Sequence, residues 1–356
     1  MAWINLILLT ISFSATAAEL PRFLTKHSPD TLRYISMDGR YAYVQKKPGV
    51  LGLVSSFRST DFLSEANTND FSVKASRFKL RLAVESIPNA FDSMSLIKNH
   101  KIYVVDFGNT LTREIGMGRG AKLHLRDEWM TFYDMFEKKI HIVNLVTQKK
   151  FEIKLSKKAN PFFIPDVEMI SSRAVVYSDI NEQGYSAMVS FDLQTGKSNI
   201  IYKSSQSATK IELCQHQDYL AVGEFPYEGV DRGSKISMVS ISSDDYTNLA
   251  GLQTIYTSIE QDIGNMVCLP NWIYFVKTMN QDKQLNFKIT EAVKLELKTQ
   301  NVEAKSSLKS VAQLLEMDGR VMIPFRGEFH VLEGQANIGE DSLKAVPTRE
   351  ELQIDL

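Results

Sequence analysis

"YSAMVSFDLQTGKSNIIYKS", residues 185–204, decides the fold. Apolar side chains recur at every second position on both sides of Gln194-Thr195-Gly196-Lys197. A period of two places alternate side chains on opposite faces of a strand, and a Gly-containing polar break of this length turns one strand back on the next. The stretch therefore reads strand, turn, strand. "KIHIVNLVTQKKFEIKL" (139–155) repeats it around Thr147-Gln148, and "KIYVVDFGNTLTREIGM" (101–117) repeats it around Gly108-Asn109.

Working outward, each hairpin is preceded by a further apolar segment: "RAVVYSDI" (173–180), "EWMTFYDMF" (128–136) and "SMSLI" (93–97). Weaker first strands stand before those, at "DVEMIS" (166–171), "AKLHLR" (121–126) and "FKLRLAVES" (78–86). Four short antiparallel strands, recurring every forty to fifty residues, are the sequence picture of a β-propeller. Seven units follow, at about 32–76, 78–117, 120–156, 165–204, 208–257, 263–302 and 308–334. The same pattern admits six or eight.

Two gapless alignments support the repeat. "CQHQDYLAV" (214–222) superposes on "CLPNWIYFV" (268–276), and "MDGRYAYV" (37–44) on "MDGRVMIP" (317–324). In the second pair Asp38-Gly39 and Asp318-Gly319 suit the turn between a unit's first and second strands, because Gly takes a positive φ without steric cost. The last unit shows only three strands. An unpaired edge invites aggregation, so a fourth is expected from "PRFLTKH" (21–27), closing the last blade with an N-terminal strand. "DSLKAVP" (341–347) is the competing donor.

Ser36-Met37-Asp38-Gly39-Arg40-Tyr41-Ala42-Tyr43-Val44 and Phe191-Asp192-Leu193-Gln194-Thr195-Gly196-Lys197 resemble the two halves of the WD40-like repeat of TolB-type propellers. Met37 stands where that repeat usually has Pro. The resemblance implies the fold and no activity, since propellers host many unrelated functions.

Composition narrows the classes. The chain has 356 residues, 44% of them hydrophobic, with 41 basic and 42 acidic side chains. A formal charge of -1 lacks the basic excess that nucleic acid or an anionic membrane requires. Residues 1–18 carry an apolar run from Trp3 to Phe13 and then Ala15-Thr16-Ala17-Ala18, the pattern of a cleaved export signal. The expected organisation is thus a signal peptide (1–18), one all-β propeller domain (19–338) and an acidic C-terminal tail (339–356). Localisation is periplasmic or secreted, and the lack of any Asn-x-Ser/Thr site leans towards a bacterial envelope. Cys214 and Cys268, at equivalent positions in neighbouring units, are a candidate disulfide, with two buried thiols as the alternative.

Reactive constellations are sparse. "DINEQGY" (179–185) offers Asp179, Asn181, Gln183 and Gly184 at calcium-loop spacing, but position twelve is Ser190 rather than Glu, and a hairpin turn accounts for it. Asp38, Asp127, His216 and Asp318 stand in turns after first strands without metal-ligand spacing, and G-x-S-x-G is absent. No catalytic residue, metal or cofactor is assigned. The long segment "GEFPYEGVDRGSK" (223–235) holds Phe225, Tyr227 and Arg232, side chains of the kind that anchor interfaces, and Asp231 joins them as a candidate binding residue. A second insertion is expected at "FRSTDFLSEANTND" (57–70). The leading expectation is a non-catalytic scaffold that binds another envelope or extracellular protein. The alternative is a small-ligand or glycan-binding propeller, or a hydrolase, using the central channel.

Overall fold

A computed structural model describes residues 32–35, 41–75, 80–88, 99–106, 110–156, 164–180, 184–207, 209–216, 219–227, 233–241, 251–259, 262, 264–282, 287–304, 314–317, 320–325, 328–333 and 344–345. Among them there is no helix, and the strands form successive antiparallel sheets. Sheet 1 holds β1 (Leu32–Ile35), β2 (Tyr41–Lys47), β3 (Val50–Ser55) and β4 (Ser59–Ser64). Sheet 2 follows with β5 (Thr68–Ala75), β6 (Arg81–Pro88), β7 (His100–Asp106) and the first half of β8 (Thr112–His124). The second half of β8 opens sheet 3, pairing Lys122 with Thr131 of β9 (Trp129–Asp134); β10 (Lys139–Asn144) and β11 (Lys150–Lys154) complete it.

Sheet 4 is β12 (Val167–Met169), β13 (Ala174–Ile180), β14 (Tyr185–Asp192) and β15 (Ser198–Ser207). Sheet 5 is β16 (Thr209–His216), β17 (Tyr219–Pro226), β18 (Lys235–Ser240) and β19 (Gln253–Thr257). Sheet 6 is β20 (Gly264–Leu269), β21 (Trp272–Asp282), β22 (Phe287–Glu296) and β23 (Val302–Ala304), and sheet 7 is β24 (Leu315–Met317), β25 (Arg320–Phe325), β26 (Glu328–Glu333) and β27 (Lys344–Ala345).

The central strands explain the stacking. In β21, Ile273 and Phe275 pack towards sheet 5, while Tyr274 and Val276 pack towards sheet 7. In β6, Leu82 and Val84 face sheet 1 and Ala83 faces sheet 3. A strand apolar on both faces must be covered on both, so each sheet is sandwiched by its neighbours. Six apolar clusters fill the six seams between consecutive sheets. Sheet 1 is also buried on the face away from sheet 2, at Ala42, Val44 and Val54. That two-sided burial at the first sheet is what a ring requires. The fold is a β-propeller, and the first strand of each sheet lies innermost.

Repeated turns fix the hairpins. Asp192 Oδ1 accepts from the backbone N–H of Gln194 (2.7 Å) and Thr195 (3.0 Å), and Gly196 follows at φ +69°. Asn144 Oδ1 does the same for Val146 and Thr147, with Gln148 at φ +62°. In both, the Leu after the cap is buried and its N–H reaches back to the preceding strand turn, Leu193 to Arg173 O and Leu145 to Glu128 O. Leu297 bonds Asn271 O in the same way, inside Glu296-Leu297-Lys298-Thr299-Gln300. Three sheets therefore share one Asp/Asn/Glu-Leu-x-Thr-Gly/Gln turn.

Three expectations need correction. The segment 57–70 is not an insertion: it contains β4 and the start of β5, and β5 belongs to sheet 2. Consequently "FKLRLAVES" is a second strand, not a first, and 93–97 lies outside the described residues. The error came from β4, an outer strand with only Leu63 buried, whose apolar alternation is too weak to read. The fourth place in the last sheet, expected of an N-terminal strand, is taken by Lys344–Ala345 of the competing donor, paired with Val331 and His330. The expected tail thus contributes to the domain, while 21–27 and the expected signal segment lie outside the described residues. No helix among the described residues is long and apolar enough to cross a membrane.

The Met-Asp-Gly-Arg tetrapeptides fall between β1 and β2 and between β24 and β25, with Met317 opposite Arg320. Asp38, Gly39, Asp318 and Gly319 themselves lie outside the described residues. Residues 181–183 of the hairpin considered for calcium do too. Asp179 pairs with Ala187 in the ladder and accepts from the N–H of Ile180 (2.7 Å) and Ser156 (3.1 Å).

Candidate functional site

The innermost strands carry charges among apolar neighbours: Lys74 in β5, Lys122 in β8, Glu168 in β12, Lys210 and Glu212 in β16. Alternation places these side chains on one face of each strand, and successive first strands lie side by side, bringing them together along the axis. Lys122 Nζ lies 2.5 Å from Glu168 Oε1 and 3.6 Å from Asp166 Oδ1. Lys210 Nζ lies 2.5 Å from Glu212 Oε1. Behind Lys122, His124 Nδ1 is 3.5 Å from Glu168 Oε2 and its Nε2 is 2.8 Å from Thr131 Oγ1. In sheet 2, His100 Nδ1 is 2.7 Å from Glu85 Oε1, and Glu85 Oε2 accepts from Gly120 N–H at 3.1 Å.

The two signs are not equally placed. The Glu168 side chain is 8% exposed and that of its partner Lys122 38%. Lys210 is likewise far more exposed than Glu212. Carboxylates form the wall and ammonium groups stand in front of them. Electrostatics follows from this layering. Burial pushes the Glu168 pKa up, but Lys122 and His124 outweigh it and hold the carboxyl below its usual range. Burial alone would lower Lys122, yet Glu168 and Asp166 raise it above an ordinary lysine. The His124 imidazole is pulled below its usual value, chiefly by burial. Burial also lowers Lys74, which Glu85 and Asp166 support and Lys122 opposes. Lys74 nevertheless keeps contact with water, which limits that lowering.

The residues expected at 223–235 separate. Phe225 is 1% exposed, lies in β17 and packs in the seam between sheets 5 and 6, so it is a core residue and not a surface anchor. The strand runs on to Pro226, four residues further than the reading of a loop from Gly223 allowed. Tyr227 is 40% exposed. Register pairs Lys210 with Phe225, which sets Tyr227 beside the start of β16, where it feels the Lys210 charge. Asp231 and Arg232 lie outside the described residues. The returning end of the segment is anchored: Lys235 Nζ is 2.5 Å from Glu224 Oε1, and Ser234 O accepts from Ser258 N–H at 2.9 Å.

Other sequence candidates serve the framework. Asp127 is fully buried, and its Oδ2 accepts from Leu80 N–H (2.8 Å) and Arg81 N–H (3.0 Å), locking sheet 3 to sheet 2. His216 stacks on Tyr219 with ring centroids 5.9 Å apart. Among the described residues no three His, Cys, Asp or Glu side chains are grouped to hold a metal ion. Cys214 and Cys268 form a disulfide with Cα atoms 5.8 Å apart, linking the first strands of sheets 5 and 6. At the same seam Gly264, at φ +89°, leaves room for Glu212; a Cβ there would sit 2.8 Å from Glu212 Oε2. Glu212 then accepts from Met266 N–H.

No family model and no curated protein matches the chain. Among solved structures, the tricorn protease aligns with a TM-score of 0.56 at 12% identity, over 85% of this chain and 33% of that one. A prolyl endopeptidase structure gives 0.56 at 12% identity, over 93% and 53%. An uncharacterized protein of Listeria monocytogenes gives 0.55 at 11% identity, over 90% and 96%. The chain spans about a third of the tricorn protease chain and about half of the prolyl endopeptidase. At such identities the likeness is one of fold, in keeping with the TolB-type resemblance read at 36–44 and 191–197.

Proposed function

We propose that this chain is an exported, seven-bladed, non-catalytic binding propeller that holds a small ligand at the axial face of sheets 2–5, beside Tyr227. The observation that carries this is the layered charge on the inner strands. Paired lysines project from Lys122 and Lys210 in front of buried carboxylates. Polar groups converging in a concave, walled site are how small ligands are oriented. Periplasmic or secreted localisation rests on the expected signal at 1–18 and accords with a disulfide.

The protein-scaffold reading keeps one support of its own. Tyr227 and the fully exposed Ile259 stand near the anchored root of the 227–234 segment, and an envelope protein could dock there. Native mass spectrometry on protein recovered from osmotic-shock fluid tests the proposal. Wild type is expected to retain a small-molecule mass that the Lys210→Gln, Tyr227→Ala double variant loses. A wild type that carries a protein partner and no small molecule would favour docking; recovery only in the cytosol would remove export.

A further inference from the structure

We infer that the ligand of this axial site is a small anion whose carboxylate or phosphate group sits between Lys74 and Lys122. This rests on the axial reading above and names the ligand's chemistry. Lys74 is the inner-strand cation that no carboxylate holds at ion-pair distance among the described residues. It is exposed. Lys122 and Lys210 each have a carboxylate at 2.5 Å, and Arg119 reaches Glu85 at 3.9 Å.

The groups facing Lys74 are Glu85 from β6, Lys122 from β8 and Asp166 just before β12. Both carboxylates are engaged elsewhere. Glu85 is held by His100 and the N–H of Gly120, and Asp166 Oδ2 accepts from Leu213 N–H at 2.7 Å while its Oδ1 faces Lys122. The inner strands β5 and β8 adjoin, so Lys74 feels the Lys122 charge while the carboxylates beside both already accept other bonds. An incoming anion relieves that repulsion while making charge-assisted hydrogen bonds to both. A cationic ligand meets the opposite situation, since ammonium groups stand in front of the carboxylates it would need.

The test is isothermal titration at constant ionic strength with inorganic phosphate and citrate, using choline and glucose as cationic and neutral probes. At least one anion is expected to bind the wild type. K74Q should weaken it by about tenfold or more, the scale of one charged hydrogen bond, whereas K74R should restore most of the affinity. K149Q, at an exposed lysine on β10–β11, should change nothing. Binding to wild type should also fade as pH rises through the free Lys74 pKa, and K74R should remove that fade. Phosphate giving heat without citrate, or the reverse, identifies the anionic group. Equal anion binding by wild type and K74Q overturns the inference. If choline or glucose binds and the anions do not, the axial site stands and its anionic assignment falls; if none binds, both fall.

Discussion

Two seams of the propeller join their inner strands by different chemistry. Between sheets 3 and 4 the join is ionic: Lys122 meets Glu168 and Asp166, with His124 behind. Between sheets 5 and 6 it is covalent, Cys214 to Cys268, backed by the edge-to-face pair Tyr256–Phe275 with centroids 4.9 Å apart. The architecture tolerates either, because the apolar seam outside the inner strands is continuous in both. What differs is what remains accessible. The disulfide itself presents nothing that titrates, and the charges beside it, Lys210 and Glu212, pair within one strand rather than across the seam. An ion pair with its lysine outward leaves an ammonium group at the axis, which is why ligand chemistry is placed at the ionic seam.

The largest expected effect breaks the covalent seam. The bond closes a loop of 54 residues, for which chain-entropy arguments give about 4 kcal/mol. Dithiothreitol, or Cys214→Ser with Cys268→Ser, should lower the melting temperature by several degrees without altering ligand affinity. Identical melting with and without reductant would count against a stabilising bond. Next comes the ionic seam. Glu168→Ala removes the buried acceptor of both Lys122 and His124 and is expected to cost about 3 kcal/mol, the low end for a broken buried pair because Lys122 keeps water and Asp166. Here ligand affinity should change together with stability. Glu168→Gln should cost less, since its amide oxygen still accepts a bond. A denaturation midpoint for Glu168→Ala within error of wild type would dissolve the contrast between the seams.

Most of the fold was legible because the middle strands of each sheet are apolar on both faces. Runs such as Ile273-Tyr274-Phe275-Val276 announce themselves whatever lies around them. The edges were not legible. β4 exposes all but Leu63 and half-buried Phe62, and β27 is two residues long, too short for any alternation. Missing β4 shifted the phase of sheet 2 by one strand and hid Lys74, which then belonged to no first strand. With the phase right, the site has a signal: one charge between apolar residues, in Val73-Lys74-Ala75, Ala121-Lys122-Leu123, Val167-Glu168-Met169 and Ile211-Glu212-Leu213. Such a charge in a buried strand needs a partner, and only the ring brings partners from different sheets together. Tyr227 was singled out by residue type, and its exposure keeps it on the surface. Phe225 was misplaced because Gly223, which usually ends a strand, here continues one.

Acid should separate the seams by the smallest effect. His124 faces Glu168, Lys122 and Asp166, and burial holds its pKa below the ordinary 6.5. The unfolded chain therefore takes up a proton first, so stability falls as pH drops below about 6.5 and levels off once the folded pKa is passed. Glu168 adds a second loss at lower pH. Its folded pKa lies below 4.5, so its contribution is present above that value and disappears as pH falls through the folded pKa. The Cys214–Cys268 link has no such dependence. Urea midpoints measured from pH 8 down to pH 4 should show the first decline in wild type and a flatter course between pH 6.5 and pH 5 in His124→Gln. Reduction of the disulfide should displace the whole curve downward without changing its shape. An unaltered slope in His124→Gln would mean that the proton is taken up elsewhere, and the acid sensitivity could not be assigned to the ionic seam.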